Sequence, residues 1–479
     1  MAKLRIPAML VLFSAAAAIE AFRLTSLSSL NNCDIWWHLS SGLWMLQRHS
    51  FPHTGIFSQS SARPWIASSW VYDLLLAVLY KLLALRAIPW LLMCFKAVLA
   101  VLTFMLAGGL RGRFWFALGL SVVAQYILGA VQPGPAYFSA LFFGIELLLL
   151  LEARNTGNAR LLWWLPALFV VWANLHVQFV YGVAVLLLFI GAVALDQFQS
   201  VSALLSVGQI GKIVGASLAA TLVTPYFYGP YAVFFRTTFS SANKYLPEFQ
   251  ALGFRQPQDY LLLLLGMAAF LALGLRRSRD IFLIALLAFS LGIAFYSQRD
   301  IWLVTLASLA VIGQTSRKEA MLGSDERERF GRTPWSAIAG AAAIAILVFL
   351  VRVPRDREVL LAKIGQSYPV AASDYIREHQ LGQPLFNAYE WGGFLTWYLP
   401  EYPVAIDSRA SLYGADTVTE YSKVMNAEVP YTEYPAVADA QTIVLPKKAN
   451  MAAALGSVPR FQVLYNDDVA VVLTRRNTP

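Results

Sequence analysis

Asn31-Asn32-Cys33-Asp34-Ile35-Trp36-Trp37-His38-Leu39 is the stretch from which the fold is predicted. It opens a segment that runs to Asp73 and holds three of the chain's five histidines together with several tryptophans. Apolar runs lie on both sides, so we predict a loop between two membrane helices. Segments that only connect helices are usually short and polar. The acid, the histidines and the tryptophans therefore predict that this loop forms one wall of an active site at the membrane surface.

The composition predicts an α-helical polytopic membrane protein. The chain has 479 residues, of which 58% are hydrophobic and 14% charged, and its mean hydropathy is +0.56. Soluble domains carry about 25% charged residues. The net charge of +9 comes from Lys and Arg clusters between apolar runs, as membrane topology signals do, and predicts no nucleic-acid partner. Two cysteines, Cys33 and Cys94, exclude a disulfide scaffold and a Cys-based metal site.

Apolar stretches near bilayer length, about 20 residues, predict about 11–13 transmembrane helices. The first follows Lys3 and Arg5 and could be a cleaved signal peptide, but its length favours a retained helix. The stretches lie at about 7–27, 68–85, 88–107, 114–131, 135–152, 161–174, 178–195, 204–224, 258–275, 281–297, 301–314 and 335–351.

Short basic clusters predict the orientation of these helices, because cytoplasmic loops are rich in Lys and Arg. The clusters predicted to be cytoplasmic are Arg111/Arg113, Arg154/Arg160, Arg276/Arg277/Arg279 and Arg317 to Arg332. They place the opening segment and the C-terminal tail on the opposite side. One inconsistency remains, since two full spans between Trp70 and Arg111 give the wrong parity. Either one of those segments does not cross, or the Arg111 cluster breaks the rule.

The charge balance predicts two domains. Residues 1–351 are expected to form a transmembrane domain with large extracytoplasmic loops at about 28–67 and 225–257, and residues 352–479 a small extracytoplasmic α/β domain. In the tail, helices are predicted at Pro369–His379 and Asp416–Met425, and strands at Pro384–Ala388, Val404–Ile406, Thr442–Leu445, Phe461–Tyr465 and Val469–Thr474. Asn466-Asp467-Asp468 predicts a hairpin turn within a mixed sheet.

Asp34 is the main candidate for chemistry, because an acid near a low-dielectric interface is costly unless it has a partner or a function. As a carboxylate it could act as a general base towards an acceptor hydroxyl. It could equally cap a short helix that begins at Ile35. His38, His53 and His176 could bind a phosphate or a sugar hydroxyl, or be ordinary polar residues at the interface.

Two polar breaks between apolar runs predict further binding residues, since such groups usually face a cavity or the bundle interior. Asn174, His176 and Gln178 interrupt one apolar hairpin, and helix–helix hydrogen bonding is the alternative. Arg299 interrupts another and could neutralise a phosphate, or form a loop pair with Asp300.

In the tail, Trp391-Gly392-Gly393 suits a tight strand-to-helix turn with close backbone approach. Asp407 and Arg409 follow a predicted strand, where ligand residues often lie in α/β domains. A structural ion pair between them is the alternative.

With these motifs in this order, the chain resembles a group of bacterial and archaeal membrane proteins related to GT-C glycosyltransferases. The resemblance covers nearly the whole chain. The motifs are the opening stretch, Asn174/His176, Thr224-Pro225-Tyr226, Arg299, and Tyr389-Glu390-Trp391-Gly392-Gly393 followed by Ile406-Asp407-Ser408-Arg409. Trp391-Gly392-Gly393 is also loosely similar to the acceptor motif of oligosaccharyltransferase catalytic subunits. The resemblance implies that an acid in the first extracytoplasmic loop activates the acceptor, and Asp34 stands at the matching place.

The sequence departs from this pattern at three positions. Gly55 stands where an Asp follows Pro52-His53-Thr54 in the group, Asn32 replaces an acid beside Asp34, and Asp73 replaces the usual Glu after Trp70. Two acids that might assist Asp34 are therefore missing. A degenerate or altered active site is a second interpretation.

The resemblance thus predicts a membrane glycosyltransferase that moves a hexosyl or pentosyl group from a polyprenyl-phosphate-linked donor to an extracytoplasmic glycan, lipid or protein. Its substrate-binding residues would be Trp37, His38, His53, Asp73, Asn174, His176, Gln178, Arg255, Arg299, Trp391, Asp407 and Arg409, with Asp34 catalytic. No metal ligand is assigned and no cofactor is certain, although a divalent cation on the acids stays open. The expected place is the cytoplasmic (inner) membrane of a bacterium or archaeon, among membrane lipids. The alternative is a non-catalytic scaffold or carrier of lipid-linked glycans.

Overall fold

The computed structural model describes residues 28–109, 114–131, 133–199, 204–323, 347, 349–351 and 353–476. The helix predicted at about 7–27 and the cluster Arg111/Arg113 lie outside these residues, as does most of the helix predicted at 335–351. Contacts divide the chain into two compact units. The first contains the described residues within Trp90–Tyr231 and Pro247–Arg352, and the second those within Leu27–Pro89, Ala232–Leu246 and Val353–Pro479.

Helices of eight or more described residues are numbered in chain order. They are α1 (Cys33–Arg48), α2 (Trp70–Leu83), α3 (Ala87–Leu106), α4 (Phe114–Leu128), α5 (Ala136–Thr156), α6 (Trp164–Leu175), α7 (Phe179–Phe198), α8 (Val207–Ala220), α9 (Gly229–Thr238), α10 (Pro257–Leu275), α11 (Ile281–Tyr296), α12 (Ile301–Gly323), α13 (Arg357–Ile364), α14 (Val370–Glu378), α15 (Tyr389–Tyr398) and α16 (Ala415–Met425). Helices α2 to α8, α10 and α11 follow the predicted apolar stretches within a few residues, while α12 begins where predicted but runs on to Gly323 instead of ending at 314.

Within the described residues, four helical segments are long and apolar enough to cross a membrane. They are Trp70–Leu106, Ala136–Thr156, Phe179–Phe198 and Pro257–Leu275, and shorter apolar helices lie at Trp115–Leu128, Ala159–Leu175, Val207–Ala220 and Ile281–Tyr296. The chain is an integral membrane protein. Within the first unit, α12 packs against α4, α5, α10 and α11, and its residues from Trp302 to Ile312 are buried.

The segment Trp70–Leu106 is interrupted at Ala84, whose φ of 50° is rare for a residue with a side chain. α2 ends there at 14 residues, and at 1.5 Å per residue it is about 21 Å long. The hydrocarbon core is about 30 Å thick, so α2 is too short to cross alone. This length favours the interpretation that one of the two segments before Arg111 does not cross.

The second unit contains a four-stranded mixed sheet in the order β1-β2-β4-β3. Its strands are β1 (Leu385–Asn387), β2 (Thr442–Pro446), β3 (Phe461–Asn466) and β4 (Ala470–Arg475). β1 pairs with β2 in parallel, while β4 pairs antiparallel with both β2 and β3. The predicted hairpin and the helices at α14 and α16 are confirmed. The predicted strand Val404–Ile406 is wrong, because only Val404 makes a bridge, to Ser58.

The opening stretch is a helix, and its prediction as a loop is wrong. α1 begins at Cys33, where the Asn32 side chain accepts the backbone N–H of Asp34 as an N-cap. Its apolar residues Ile35, Trp36 and Leu39 are buried, in the spacing of a helix that packs on one face. The second unit therefore includes this segment together with the tail. The predicted boundary at about residue 351 stays a prediction about domain organisation.

The close packing of α1 against α2 depends on Gly42. A Cβ at this position would overlap the backbone carbonyl of Asp73. Backbone cannot move aside cheaply, so Gly42→Ala should lower the free energy of unfolding by about 1–3 kcal/mol or more. Gly292→Ala in α11 is the control, since nothing lies within 4 Å of its Cβ position and it should be neutral or stabilising by up to about 1 kcal/mol. Thermal unfolding in detergent measures both, and equal effects would contradict the close contact.

Candidate active site

Asp34 lies in the first turn of α1 and is half-buried. Its Oδ1 accepts the indole N–H of Trp37 at 3.2 Å, and its backbone N–H donates to Asn32 at 2.7 Å. The cap of this helix is thus Asn32, and the prediction that Asp34 caps a helix beginning at Ile35 is wrong. The Cys33 thiol also donates to Oδ1, at 3.8 Å, and the carboxylate keeps part of its surface open to a substrate.

His38 and Asp73 form a buried pair across α1 and α2. The Nδ1 of His38 lies 2.5 Å from Oδ1 of Asp73, and both side chains are almost fully buried. The His38 ring stacks on Trp37 and meets Tyr72 edge to face. The His38–Asp73 pair therefore helps to fix the position of Trp37, which in turn donates to Asp34.

The Trp391-Gly392-Gly393 motif lies inside α15, so the predicted tight turn is wrong, whereas the predicted close backbone approach is confirmed. A Cβ on Gly392 would overlap the carbonyl of Ile406, and a Cβ on Gly393 would lie 2.5 Å from the carbonyl of Cys33. α15 is therefore fitted between the start of α1 and the segment before Asp407. Trp391 is buried, and its indole N–H donates to the carbonyl of Ser367 at 3.0 Å.

Asp407 and Arg409 form the ion pair that was the alternative interpretation. The Nη2 of Arg409 lies 2.7 Å from Oδ2 of Asp407, and the hydroxyl of Tyr413 donates to the same oxygen at 2.9 Å. Burial alone would lower the pKa of Arg409, but the charge of Asp407, its hydrogen bonds and Tyr413 together raise this pKa. Burial, and then Asp407, also raise the pKa of the Tyr413 phenol. Arg409 therefore keeps its charge inside the protein.

The guanidinium of Arg409 connects this pair to the opening segment. It donates to the carbonyl of Ile56 at 2.9 Å and lies over the Trp65 ring at 4.7 Å from the centroid. Trp65 meets Trp37 edge to face at 6.0 Å. A chain of contacts thus runs from Arg409 through Trp65 and Trp37 to the carboxylate of Asp34. His53 contributes its backbone carbonyl to the N–H of Trp65, while its side chain is exposed.

In the first unit, the predicted polar residues between α6 and α7 are buried and bonded. Asn174 donates to the carbonyls of Val170 and Val223. The Nδ1 of His176 lies 2.8 Å from the hydroxyl of Ser139, which also accepts the indole N–H of Trp172.

Asp300 is the centre of a second buried cluster in this unit. Gln178 donates to one of its oxygens at 2.5 Å, and the Tyr181 hydroxyl donates to the other at 2.9 Å. Burial raises the pKa of Asp300, while the charge of Arg299 opposes that rise. Arg299 itself is half-buried and lies over the Phe249 ring at 4.9 Å. The side chain of Arg255 is exposed.

The predicted residues therefore fall into two groups. The second unit holds Asp34, Trp37, His38, Asp73, His53, Trp391, Asp407 and Arg409, and the first holds Asn174, His176, Gln178, Arg255 and Arg299. Asp300 and Tyr181 are polar residues that the sequence argument did not assign, although Tyr181 follows Gln178 by about one helical turn. Glu390 was also not assigned, and it is an exposed acid in the first turn of α15.

A resident metal ion finds no ready set of ligands. Over the part of the chain that the structure describes, no three or more His, Cys, Asp or Glu side chains are grouped so that they could hold one. No step below is assigned to a metal.

No protein-family model matches the sequence, and no curated protein matches it. Solved structures do match. The crystal structure of an oligosaccharyltransferase from Archaeoglobus fulgidus, tethered to an acceptor peptide with an NVT sequon, superposes with a TM-score of 0.50 at 12% identity. The match covers 91% of this chain and 69% of the other. ArnT from Cupriavidus metallidurans bound to undecaprenyl phosphate gives a TM-score of 0.49 at 13% identity over 98% of both chains.

The fold is GT-C-like, as the resemblance predicted, and at this identity the likeness concerns the fold alone. The predicted class, a polytopic helical membrane protein with a small α/β domain in its tail, is confirmed.

The buried Asp407–Arg409 pair yields a stability prediction. Arg409→Met leaves Asp407 buried without its partner, so the free energy of unfolding should fall by about 3–5 kcal/mol. Arg377→Met is the matched control, because Arg377 lies 2.7 Å from Glu401 but both side chains are exposed, and it should cost less than about 1 kcal/mol. Denaturation in detergent measures both. Equal losses would mean that the buried pair does not hold the tail together.

Proposed function

We propose that the protein is a membrane glycosyltransferase that uses Asp34 as the base for an extracytoplasmic acceptor. The observation that carries the proposal is the half-buried carboxylate of Asp34 at the start of α1, fixed by Trp37 and left partly open. A general base must be positioned before it can be effective. The contacts through Trp37 to His38 and Trp65 supply that positioning.

The reaction transfers a sugar from a polyprenyl-phosphate-linked donor. The acceptor oxygen or nitrogen forms a bond to the anomeric carbon, and the bond from that carbon to the phosphate oxygen breaks. The bonding electron pair leaves on the phosphate, and the acceptor proton passes to the Asp34 carboxylate. The leaving group is a stable phosphate anion, so no nucleotide is required. The acceptor is a glycan, a lipid or a protein, and a hexosyl or pentosyl group is transferred.

The donor is assigned to polar residues of the first unit. Arg299 and Arg255 would meet the phosphate charge, for which the planar guanidinium is suited. Asn174, His176 and Gln178 would line the donor site. Ser139, which is hydrogen-bonded to His176, and Asp300, which accepts from Gln178, would line it with them. His38 and His53 assist at the acceptor side, and Asp73 acts by holding His38. Trp391, Asp407 and Arg409 support the site from within the tail, since all three are buried.

The proposed location is the cytoplasmic (inner) membrane of a bacterium or archaeon. The opening segment at about 28–67 and the tail from 352 would face the extracytoplasmic side, as the basic clusters of the sequence predict.

A second function, binding of lipid-linked glycans without turnover, has one specific observation in its favour. A side chain at Gly55 would meet the carbonyl of Ser60 at 2.7 Å and the Leu412 side chain at 2.8 Å. Leu412 therefore packs over the place where related proteins carry an acid. Asn32, by contrast, is used as the helix cap.

Replacing Asp34 tests the base. In Asp34→Asn the amide oxygen can still accept the Trp37 N–H, so the fold should persist, whereas proton removal should be lost. We expect transfer to fall by about 10²–10⁴-fold. The assay follows release of undecaprenyl phosphate and labelling of acceptors in proteoliposomes supplied with hexosyl and pentosyl undecaprenyl phosphates.

Asp468→Asn is the control for this variant, because Asp468 is fully exposed in the β3–β4 turn, and it should transfer like the wild type. Retained transfer by Asp34→Asn would overturn the mechanism. Binding of the undecaprenyl phosphate sugars by the wild type without turnover would support the second function instead.

Arg299→Gln tests the donor assignment. Loss of one guanidinium–phosphate contact should raise the KM for the donor about tenfold or more while acceptor KM stays unchanged. Arg279→Gln provides the control, since Arg279 is an exposed residue of a cluster predicted to be cytoplasmic. The same donor KM for both variants and the wild type would remove Arg299 from the donor site.

A further inference from the structure

Helices α1 and α15 lie side by side in a parallel arrangement. The Cβ position of Gly393 is within 3.4 Å of the Trp37 backbone N. About one turn later on each helix, the Thr396 hydroxyl lies 3.5 Å from the Ser40 hydroxyl. Contacts that advance together along two helices require the helices to run in the same direction. Their N-terminal ends therefore lie at the same end of the pair.

The same register places one acid on each helix one turn earlier. Counting back one turn from Trp37 gives Asp34, and counting back one turn from Gly393 gives Glu390. Residues three positions apart share a helix face, so both acids project from the facing sides at the shared N-terminal end.

Tyr368 supports this juxtaposition. It is buried, stacks on Phe394 of α15 and meets Trp36 of α1 edge to face. Burial raises the pKa of its phenol, and the nearby anionic groups, Asp34 and Glu390 among them, raise it further. Both carboxylates are thus close enough to act on one side chain.

Glu390 is also available to a ligand. It is exposed, and none of the hydrogen bonds and ion pairs described for the structured residues uses its carboxylate. A second acid beside Asp34 is therefore supplied from the tail, by a residue about 350 positions away in the sequence.

We infer that Glu390 is a second acidic residue of the Asp34 site and that its carboxylate contacts the acceptor. This inference rests on the proposed function and deepens it. Asp34 takes the acceptor proton, while Glu390 accepts a hydrogen bond from a neighbouring hydroxyl or amine of the acceptor. Two carboxylates at the shared N-terminal end of α1 and α15 favour an acceptor rich in hydrogen-bond donors, such as a polyol or an amino sugar, over an anionic acceptor.

Glu390→Gln tests the inference in the reconstituted transfer assay. Acceptor KM should rise about tenfold or more, while donor KM stays at its wild-type value. Glu390→Asp should recover part of the loss because it restores the charge. Asp416→Asn is the matched control, since Asp416 is likewise an exposed acid in the first turn of its helix, α16. If Glu390 acted only on the helix dipole, Glu390→Gln, like Asp416→Asn, would keep the wild-type acceptor KM, and that result would overturn the inference.

Cross-linking tests the geometry without any activity. In a Cys33→Ser, Cys94→Ser background, Asp34→Cys combined with Glu390→Cys should be joined by a short bifunctional thiol reagent. Asp34→Cys combined with Glu401→Cys should not, because Glu401 lies beyond the other end of α15, about 12 Å or more along its axis. Absence of the first cross-link would overturn the inference.

The outcomes separate the two proposals. Transfer by the wild type with unchanged acceptor KM in Glu390→Gln would overturn the role of Glu390 and leave the glycosyltransferase proposal standing. Absence of transfer by the wild type would overturn the proposed function, and the acceptor role of Glu390 with it.

Discussion

The second unit depends on the close approach of three backbones at Gly392 and Gly393. A methyl group at either position would collide with a carbonyl, of Ile406 in one case and of Cys33 in the other. Only glycine lets α15 pack this tightly on α1 and on the segment before Asp407. Protein interiors are packed as densely as organic crystals, so this contact leaves α1 and α15 little freedom to shift relative to each other. The placement of Trp37, and through it of Asp34, follows from this fit.

Hydropathy predicted the membrane helices well because bilayer length and apolar composition are properties of a continuous stretch. The hairpin β3–β4 was predicted for a similar reason, since its turn residues are local. α1 was missed because its sequence mixes tryptophans, serines and an acid. Its helix is stabilised by burial of Trp36 against Trp397 and Phe394, and such distant partners leave no mark on the local pattern.

The same distinction between local and distant information applies to the candidate site. Asp34 was singled out because an acid beside a membrane boundary is conspicuous by itself. The pairing of His38 with Asp73 joins two helices, and the bonds of Gln178 and Tyr181 to Asp300 join residues more than 100 positions apart. No spacing rule connects such residues in advance. The choice between a ligand site and an ion pair at Asp407 and Arg409 likewise needed the observed distances.

The pairing of the opening segment with the tail also determines when the second unit can fold during synthesis. The side chain of Gln59 donates to the carbonyl of Pro403, 344 positions later, and Ser58 forms its bridge with Val404. Chains are synthesised from the N-terminus, and their domains generally fold as units in that order. The first residues of this unit must therefore wait until nearly the whole chain has been made. A chain that stops short of residue 404 therefore never assembles the surroundings of Asp34.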